Sequence, residues 1–248
     1  GQGDATLVRT PSGRTALIDG GPGVTPLAEG IGRRLPFWQR DIDLVVLTHP
    51  QQDHLMGLIE LVERYDVERV VQTAYEPRGN LQQAWDAALR REGVPVHHAR
   101  RGDLITFEGE PDVALRVLHP SGEGESANPN EDSVVLRLEY GSTLILLAGD
   151  AEADAEAEML RESLHYLSAD VLKVAHHGSD TSTTPTFLQV VAPQIAVIPV
   201  GTGNRLGHPS PDVLERLEAA GAGVYRTDLD GTVEIVAEKD RFWVQAER

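Results

Sequence analysis

Short apolar runs rich in Val, Leu and Ile recur along the chain and end in Gly, Asp or His. Between them lie segments whose apolar residues return every three or four positions. Runs of the first kind fit buried strands and segments of the second kind fit amphipathic helices. The pattern predicts strands over 5–9, 15–19, 43–48, 112–118, 133–139, 142–148, 170–175, 195–200, 223–226, 232–236 and 242–245. It predicts helices over 26–39, 55–65, 80–92, 151–164 and 211–220. The last helix has the clearest boundaries: Ser210 can cap it, Pro211 takes its first position and Gly221 ends it. Hairpin-like turns at Gly13 and Tyr140-Gly141 stand beside strand–helix alternation, so the sheets are expected to be mixed. The expected architecture over 1–248 is one α/β domain, two packed sheets with outer helices.

Composition narrows this reading. A chain of 248 residues with 40% hydrophobic and 25% charged residues has ample material for a core. Twenty-two basic against 39 acidic residues give a net charge of −17, which argues against a generic nucleic-acid sleeve. A nucleic-acid role must then work through bound metal or a local basic strip. Arg78, Arg100, Arg101, Lys173 and Arg205 are the candidates, each also readable as a solvated surface charge. The absence of cysteine excludes disulfides, thiolate ligands and a Cys nucleophile. No apolar run approaches the roughly 18 residues of a membrane span, and these 248 residues show no signal-peptide pattern. The chain opens with Gly1-Gln2-Gly3-Asp4, almost inside its first strand, and so reads as a piece of a longer protein.

Candidate chemistry gathers at the ends of three predicted strands. Leu44 to Leu47 runs into Thr48-His49-Pro50-Gln51-Gln52-Asp53-His54, and a helix follows. Leu144 to Ala148 delivers Gly149-Asp150, and Val171 to Ala175 delivers His176-His177-Gly178-Ser179. Taken singly, Asp53 and Asp150 are also good helix caps, and a His pair is an ordinary loop element. Imidazoles and carboxylates at three strand ends are, together, the donor set of a divalent-metal centre. Asp19, in Asp19-Gly20-Gly21, is either a turn residue or a carboxylate that orients a ligand histidine. With no Gly-x-Ser-x-Gly nucleophile elbow, metal-activated water is the best nucleophile available.

At these motifs the chain resembles the metallo-β-lactamase superfamily, whose first motif reads His-x-His-x-Asp-His. Within it the chain is similar to the C-terminal domain of the ComEC family of competence DNA-uptake channels. The stretches that carry this are GQGDATLVRTPSGRTALIDGG, LVVLTHPQQDHLMGL, NEDSVVLRLEYGSTLILLAGDAE, ADVLKVAHHGS, GHPSPDVLERL and YRTDLDGTVEI. The resemblance implies an αβ/βα sandwich holding two divalent ions, Mn²⁺ favoured over Zn²⁺ or Mg²⁺. His49, Asp53, His54, Asp150 and one of His176 and His177 would be ligands, with Asp150 bridging. His176 is preferred because it directly ends the strand. Gln51 and Asn130 stand where the superfamily has histidine, and their neutral oxygens would make a loose first site. Asp53 and His208 would be catalytic, His208 as general acid or phosphate contact, though it also reads as a plain loop residue before the Ser210 cap. Ser179 and Ser182 would contact phosphate, or simply belong to a solvated loop.

The activity implied is a metal-dependent deoxyribonuclease that degrades the strand not imported during DNA uptake. Its partners would be DNA, in single strands, and the rest of a membrane channel. That places the chain as a fragment of a membrane protein, on the outer face of the cytoplasmic membrane. Two other classes stay open: a non-catalytic DNA-guiding module with a decayed metal site, and another hydrolase of the fold, such as a lactonase or thioesterase.

Overall fold

The apolar run Leu44–Leu47 is buried at every position, because alternate residues serve two different cores. Val45 and Leu47 face a helical layer with Leu55, Leu58 and Trp85. Leu44 and Val46 face a second sheet through Leu115, Val117, Leu136 and Leu147. A strand buried on both faces reads as a continuous apolar run rather than an alternating one. A third core lies beyond the second sheet, where Leu146, Leu172, Ala196 and Ile198 meet Met159, Phe187 and Leu217. The order of layers is therefore helix, sheet, sheet, helix.

The computed structural model describes residues 3–122 and 126–247. The first sheet runs in the order β1 (Thr6–Arg9), β2 (Thr15–Ile18), β4 (Leu44–Leu47), β6 (Val70–Gln72), β7 (Val96–His98). Only β1 is antiparallel to its neighbour; the other pairs are parallel. Helices α1 (Val24–Arg34), α2 (Gln52–Arg64) and α3 (Asn80–Glu92) supply its outer layer. A small parallel ribbon joins β3 (Asp41–Ile42) to β5 (Asp66–Val67).

The second sheet has seven strands, β14 (Gly223–Arg226), β13 (Ile195–Ile198), β12 (Val171–Lys173), β11 (Thr143–Leu147), β10 (Val135–Tyr140), β9 (Glu110–His119) and β8 (Leu104–Phe107). Pairing is antiparallel from β8 to β11 and parallel from β11 to β14, so this sheet is mixed as well. Helices α4 (Ala153–Glu162), α5 (Pro185–Val191) and α6 (Pro211–Ala219) contribute to its outer core. A short helix α7 (Thr227–Asp230) leads into a terminal hairpin, β15 (Thr232–Glu238) with β16 (Arg241–Glu247). The architecture is the αβ/βα sandwich expected from the sequence.

Several boundaries differ for local reasons. The helix expected over 26–39 stops at Arg34, because Leu35 precedes Pro36 and takes an extended backbone. The strand expected over 170–175 leaves the sheet after Lys173 and enters a turn over Ala175–Gly178. The pattern passed over β3, β5, β6 and β7, each two or three residues long, and also the longer β8 and α5.

The membrane placement is corrected. Among the described residues no helix is long and apolar enough to cross a membrane. The longest helices, α2 and α3, have 13 residues, about 20 Å of rise against a hydrocarbon core of ~30 Å. The assignment as a membrane-protein fragment on the outer membrane face is therefore not supported by this chain.

Candidate metal centre

The carboxyl ends of β2, β4, β11 and β12 converge where the two sheets meet, the usual location of a site in parallel α/β sheets. The backbone of Val134 donates to Thr48 O at 2.9 Å and so ties the sheets together there. From the first sheet come Asp19, His49, Asp53 and His54, and from the second come Asp150 and His177.

His49, His54 and Asp150 are buried and form one cluster with metal-ligand spacing; Asp53, His54 and His177 form another. His54 Nε2 lies 3.3 Å from Asp150 Oδ2, and His49 Nε2 lies 3.9 Å from the same oxygen. His177 Nε2 lies 3.2 Å from Asp53 Oδ2 and 3.7 Å from Asp150 Oδ2. One carboxylate thus faces three imidazoles.

The outer nitrogens are held from behind. His54 Nδ1 donates to Asp19 Oδ2 at 2.8 Å, and Asp19 also accepts from the Thr48 backbone and hydroxyl. Asp19 therefore orients a histidine and is not merely a turn residue. His177 Nδ1 donates to the Pro199 carbonyl at 2.9 Å, with Asp4 Oδ1 3.2 Å away. Such partners fix the ring plane and leave the other nitrogen aimed inward.

The electrostatics are those of a cation site. Four carboxylates, Asp4, Asp19, Asp53 and Asp150, face a single ammonium, Lys173, which pairs with Asp4 and donates to Gly149 O at 2.7 Å. Burial pushes the His49 imidazole down to about 3, with the neighbouring His54 charge adding to the effect. For His54 burial opposes protonation, but the Asp150 and Asp19 carboxylates raise it well above the usual imidazole range. Burial likewise opposes charge on His177, yet Asp4 and Asp53 bring it up to about 10. Asp150 is driven up by burial and more strongly down by His54, His49 and Lys173. Among the described residues His49 Nε2, His54 Nε2 and both Asp150 oxygens are buried without a hydrogen bond. Buried groups of this kind are costly unless paired or bound to metal, so the donor set fits a divalent ion.

Other expected residues lie elsewhere. His176, favoured from its place at the strand end, is not in the cluster: its Nδ1 lies 2.8 Å from Glu152 Oε1 and 3.4 Å from Thr181 Oγ1. The turn explains the exchange: His176 and His177 both have left-handed backbones, φ 48° and 54°, and this rotates His177 toward the metal cluster. Gln51 and Asn130 bond to each other, Gln51 Nε2 donating to Asn130 Oδ1 at 2.7 Å. Ser182 is buried, and its hydroxyl donates to the Ala175 and Ser179 carbonyls, so it braces the loop rather than facing a ligand. Ser179 is also buried and bonds Thr181 Oγ1 at 2.9 Å. His208 is half-buried, its ring 5.7 Å from that of His176.

Lys173 does not belong to an exposed strip, because it is buried beside Asp4 and Asp150. Arg101 pairs with Glu158 at 2.8 Å. Arg78, Arg100 and Arg205 are exposed, with no ion pair among the described residues. Two members of the site escaped the sequence reading, Asp4 and Glu152. The only available signal was Asp4 in the opening GQGDA motif, of which Gly1 and Gln2 lie outside the described residues.

This fold with this donor set defines a metallo-β-lactamase-type domain with a candidate divalent-metal centre. The metallo-beta-lactamase superfamily profile matches residues 1–202, and the chain belongs to that superfamily. It is 34% identical over 254 residues to ComE operon protein 3 of Bacillus subtilis, covering 94% of this chain and 32% of that protein. It is 30% identical over 240 residues to competence protein ComA of Neisseria gonorrhoeae, covering 94% of this chain and 31% of that one. The chain thus spans about a third of the length of these competence proteins. Its fold is similar to Igni18, a metallo hydrolase of Ignicoccus hospitalis, with a TM-score of 0.60 and 17% identity over 100% of this chain and 97% of that one.

Proposed function

We propose that this chain is a metal-dependent deoxyribonuclease that acts on single-stranded DNA and degrades the strand not imported during DNA uptake. One observation carries the hydrolase part: buried, unpartnered atoms of His49, His54 and Asp150 converge beside Asp53 and His177. Kinship to competence proteins favours DNA as the substrate class.

Asp53, His54, Asp150 and His177 would hold one divalent ion as two carboxylates and two imidazoles. His49 and Asp150 would hold a second, with the Gln51 carbonyl oxygen as a weak supplement, since Asn130 Oδ1 is already engaged. A donor set rich in oxygen and free of thiolate suits Mn²⁺ or Mg²⁺ at least as well as Zn²⁺. When bound, such ions supply Lewis acidity toward a phosphodiester and its attacking water. The chain's residues do the rest. Asp19 and Pro199 O keep the two rings in register. Asp53, less buried than Asp150, lies on the open side, and His208, its ring 5.7 Å from that of His176, would serve as general acid or phosphate contact.

The test is cleavage of a labelled single-stranded oligonucleotide by the purified chain, with Mn²⁺ and after exhaustive chelation. Cleavage that appears with Mn²⁺ and vanishes with chelator is expected. Full cleavage after chelation would end the metal mechanism, and turnover of lactones or thioesters without any DNA cleavage would favour the other hydrolase class.

A further inference from the structure

Resting on the metal-hydrolase reading, we infer that His176 meets the substrate's phosphate and is positioned there by Glu152, which a hydrogen-bonded chain starting at Gln51 holds. The chain has a fixed polarity. Glu152 Oε1 accepts from Asn130 Nδ2 at 3.0 Å and lies 2.8 Å from His176 Nδ1. Its other oxygen accepts from Asn128 Nδ2 at 2.9 Å. A carboxylate only accepts, so Asn130 must turn its amide nitrogen toward Glu152 and its oxygen toward Gln51. Gln51 must then donate, as it does at 2.7 Å. Every orientation from Gln51 to Glu152 is set by its neighbour.

This arrangement accounts for the two departures from the superfamily's histidines. Gln51 and Asn130 are not merely poor ligands: as an amide pair they brace Glu152. What Glu152 holds is a ring at the opening of the site. His176 lies with its ring 6.2 Å from that of His177 and 5.7 Å from that of His208. Its side chain is 22% exposed, whereas that of His177 is 2% exposed. His176 Nε2 makes no hydrogen bond with another described residue, so the ring is anchored at one end and open at the other. Its left-handed backbone is held by Gly149 O, which accepts from His176 N, and by Ser179 N, which donates to His176 O. Gln51, Asn130 and Glu152 are positioning residues; His176 is the group that touches substrate.

The experiment pairs Mn²⁺ titration calorimetry with steady-state hydrolysis of bis(p-nitrophenyl) phosphate, a small phosphodiester independent of any DNA contact. His176→Ala is expected to keep the Mn²⁺ stoichiometry and affinity of the parent while raising KM about tenfold. Glu152→Gln should raise KM in the same direction and move the ¹⁵N resonance of His176 Nδ1, a shift that a merely structural role would not produce. His177→Ala serves as the contrast and should lose an ion. Loss of an ion in His176→Ala, or an unchanged KM, would overturn the inference. A parent that hydrolyses the small diester but no DNA would remove the deoxyribonuclease reading and leave this inference standing. A parent that hydrolyses neither would take both away.

Discussion

At the scale of single residues, the site depends on carboxylates that stand behind the imidazoles. Asp19 bonds His54 Nδ1 and is itself tied to Thr48, on the strand end that carries His49. Asp19→Asn keeps the shape but can present its amide nitrogen where a carboxylate oxygen stood. We expect Mn²⁺ affinity to fall 10- to 100-fold with the fold intact, read by calorimetry beside circular dichroism. Glu156 offers a second prediction away from the centre. Burial pushes its carboxyl up to about 7, although both oxygens accept backbone N–H donors from Thr183 and Thr184. A carboxyl raised in the folded state binds a proton that the unfolded chain has already released. Its contribution is therefore intact below the unfolded value of 4.5 and is lost as pH climbs through about 7. Stability of the metal-free chain should fall over that window, by at most ~3 kcal/mol for this group. Urea melts at pH 5 and pH 8 test this: the drop should shrink in Glu156→Gln, and an equal drop in both chains would show that another group is responsible.

At the scale of elements, the position of α2 decides whether the His49-to-His54 turn can work. Gly57 sits one turn inside the helix against the backbone after β2, where Gly21 O accepts from its N–H at 3.2 Å. A Cβ on Gly57 would stand 1.9 Å from Gly20 O, and backbone cannot swing aside as a side chain can. Gly57→Ala should therefore cost about 1–3 kcal/mol in a urea melt and displace His54, weakening Mn²⁺ binding as well. Stability and affinity both within error of the parent would mean that the two segments are loosely coupled. The same element shows how far a sequence reaches. The helix and the turn before it follow from apolar spacing and from the chemistry of His49, Asp53 and His54. The contact between Gly57 and Gly20, 37 residues apart in the chain, does not.

At the scale of the whole molecule, a polyanion must approach a chain of net charge −17. Of the cations singled out in the sequence, the structure leaves Arg78, Arg100 and Arg205 exposed and, among the described residues, without an ion partner, while Lys173 is buried. If these three carry the phosphate contacts, the single-strand affinity should fall with salt at a log–log slope of about −2, since each contact contributes roughly −0.7. Fluorescence anisotropy across a KCl series measures it. A slope several times steeper would point to phosphate contacts by basic residues other than these three, and a flat one would remove the phosphate contacts.

The sequence by itself determined the layered α/β fold, most of its longer elements and the neighbourhood of the centre. Those depend on local physics: apolar runs that suit buried strands, capping by Ser210 and Pro211, and donor atoms at strand ends. The tertiary structure decided which donors meet. It chose His177 over His176, because two consecutive left-handed residues after β12 rotate one ring inward and the other outward. It brought Asp4 and Glu152 to a site to which the sequence reading assigned neither. It also turned Gln51 and Asn130, 79 positions apart, into a bonded pair. Periodicity and propensity act over a few residues, whereas side-chain direction at a strand end depends on backbone torsions fixed by packing between two sheets distant in sequence.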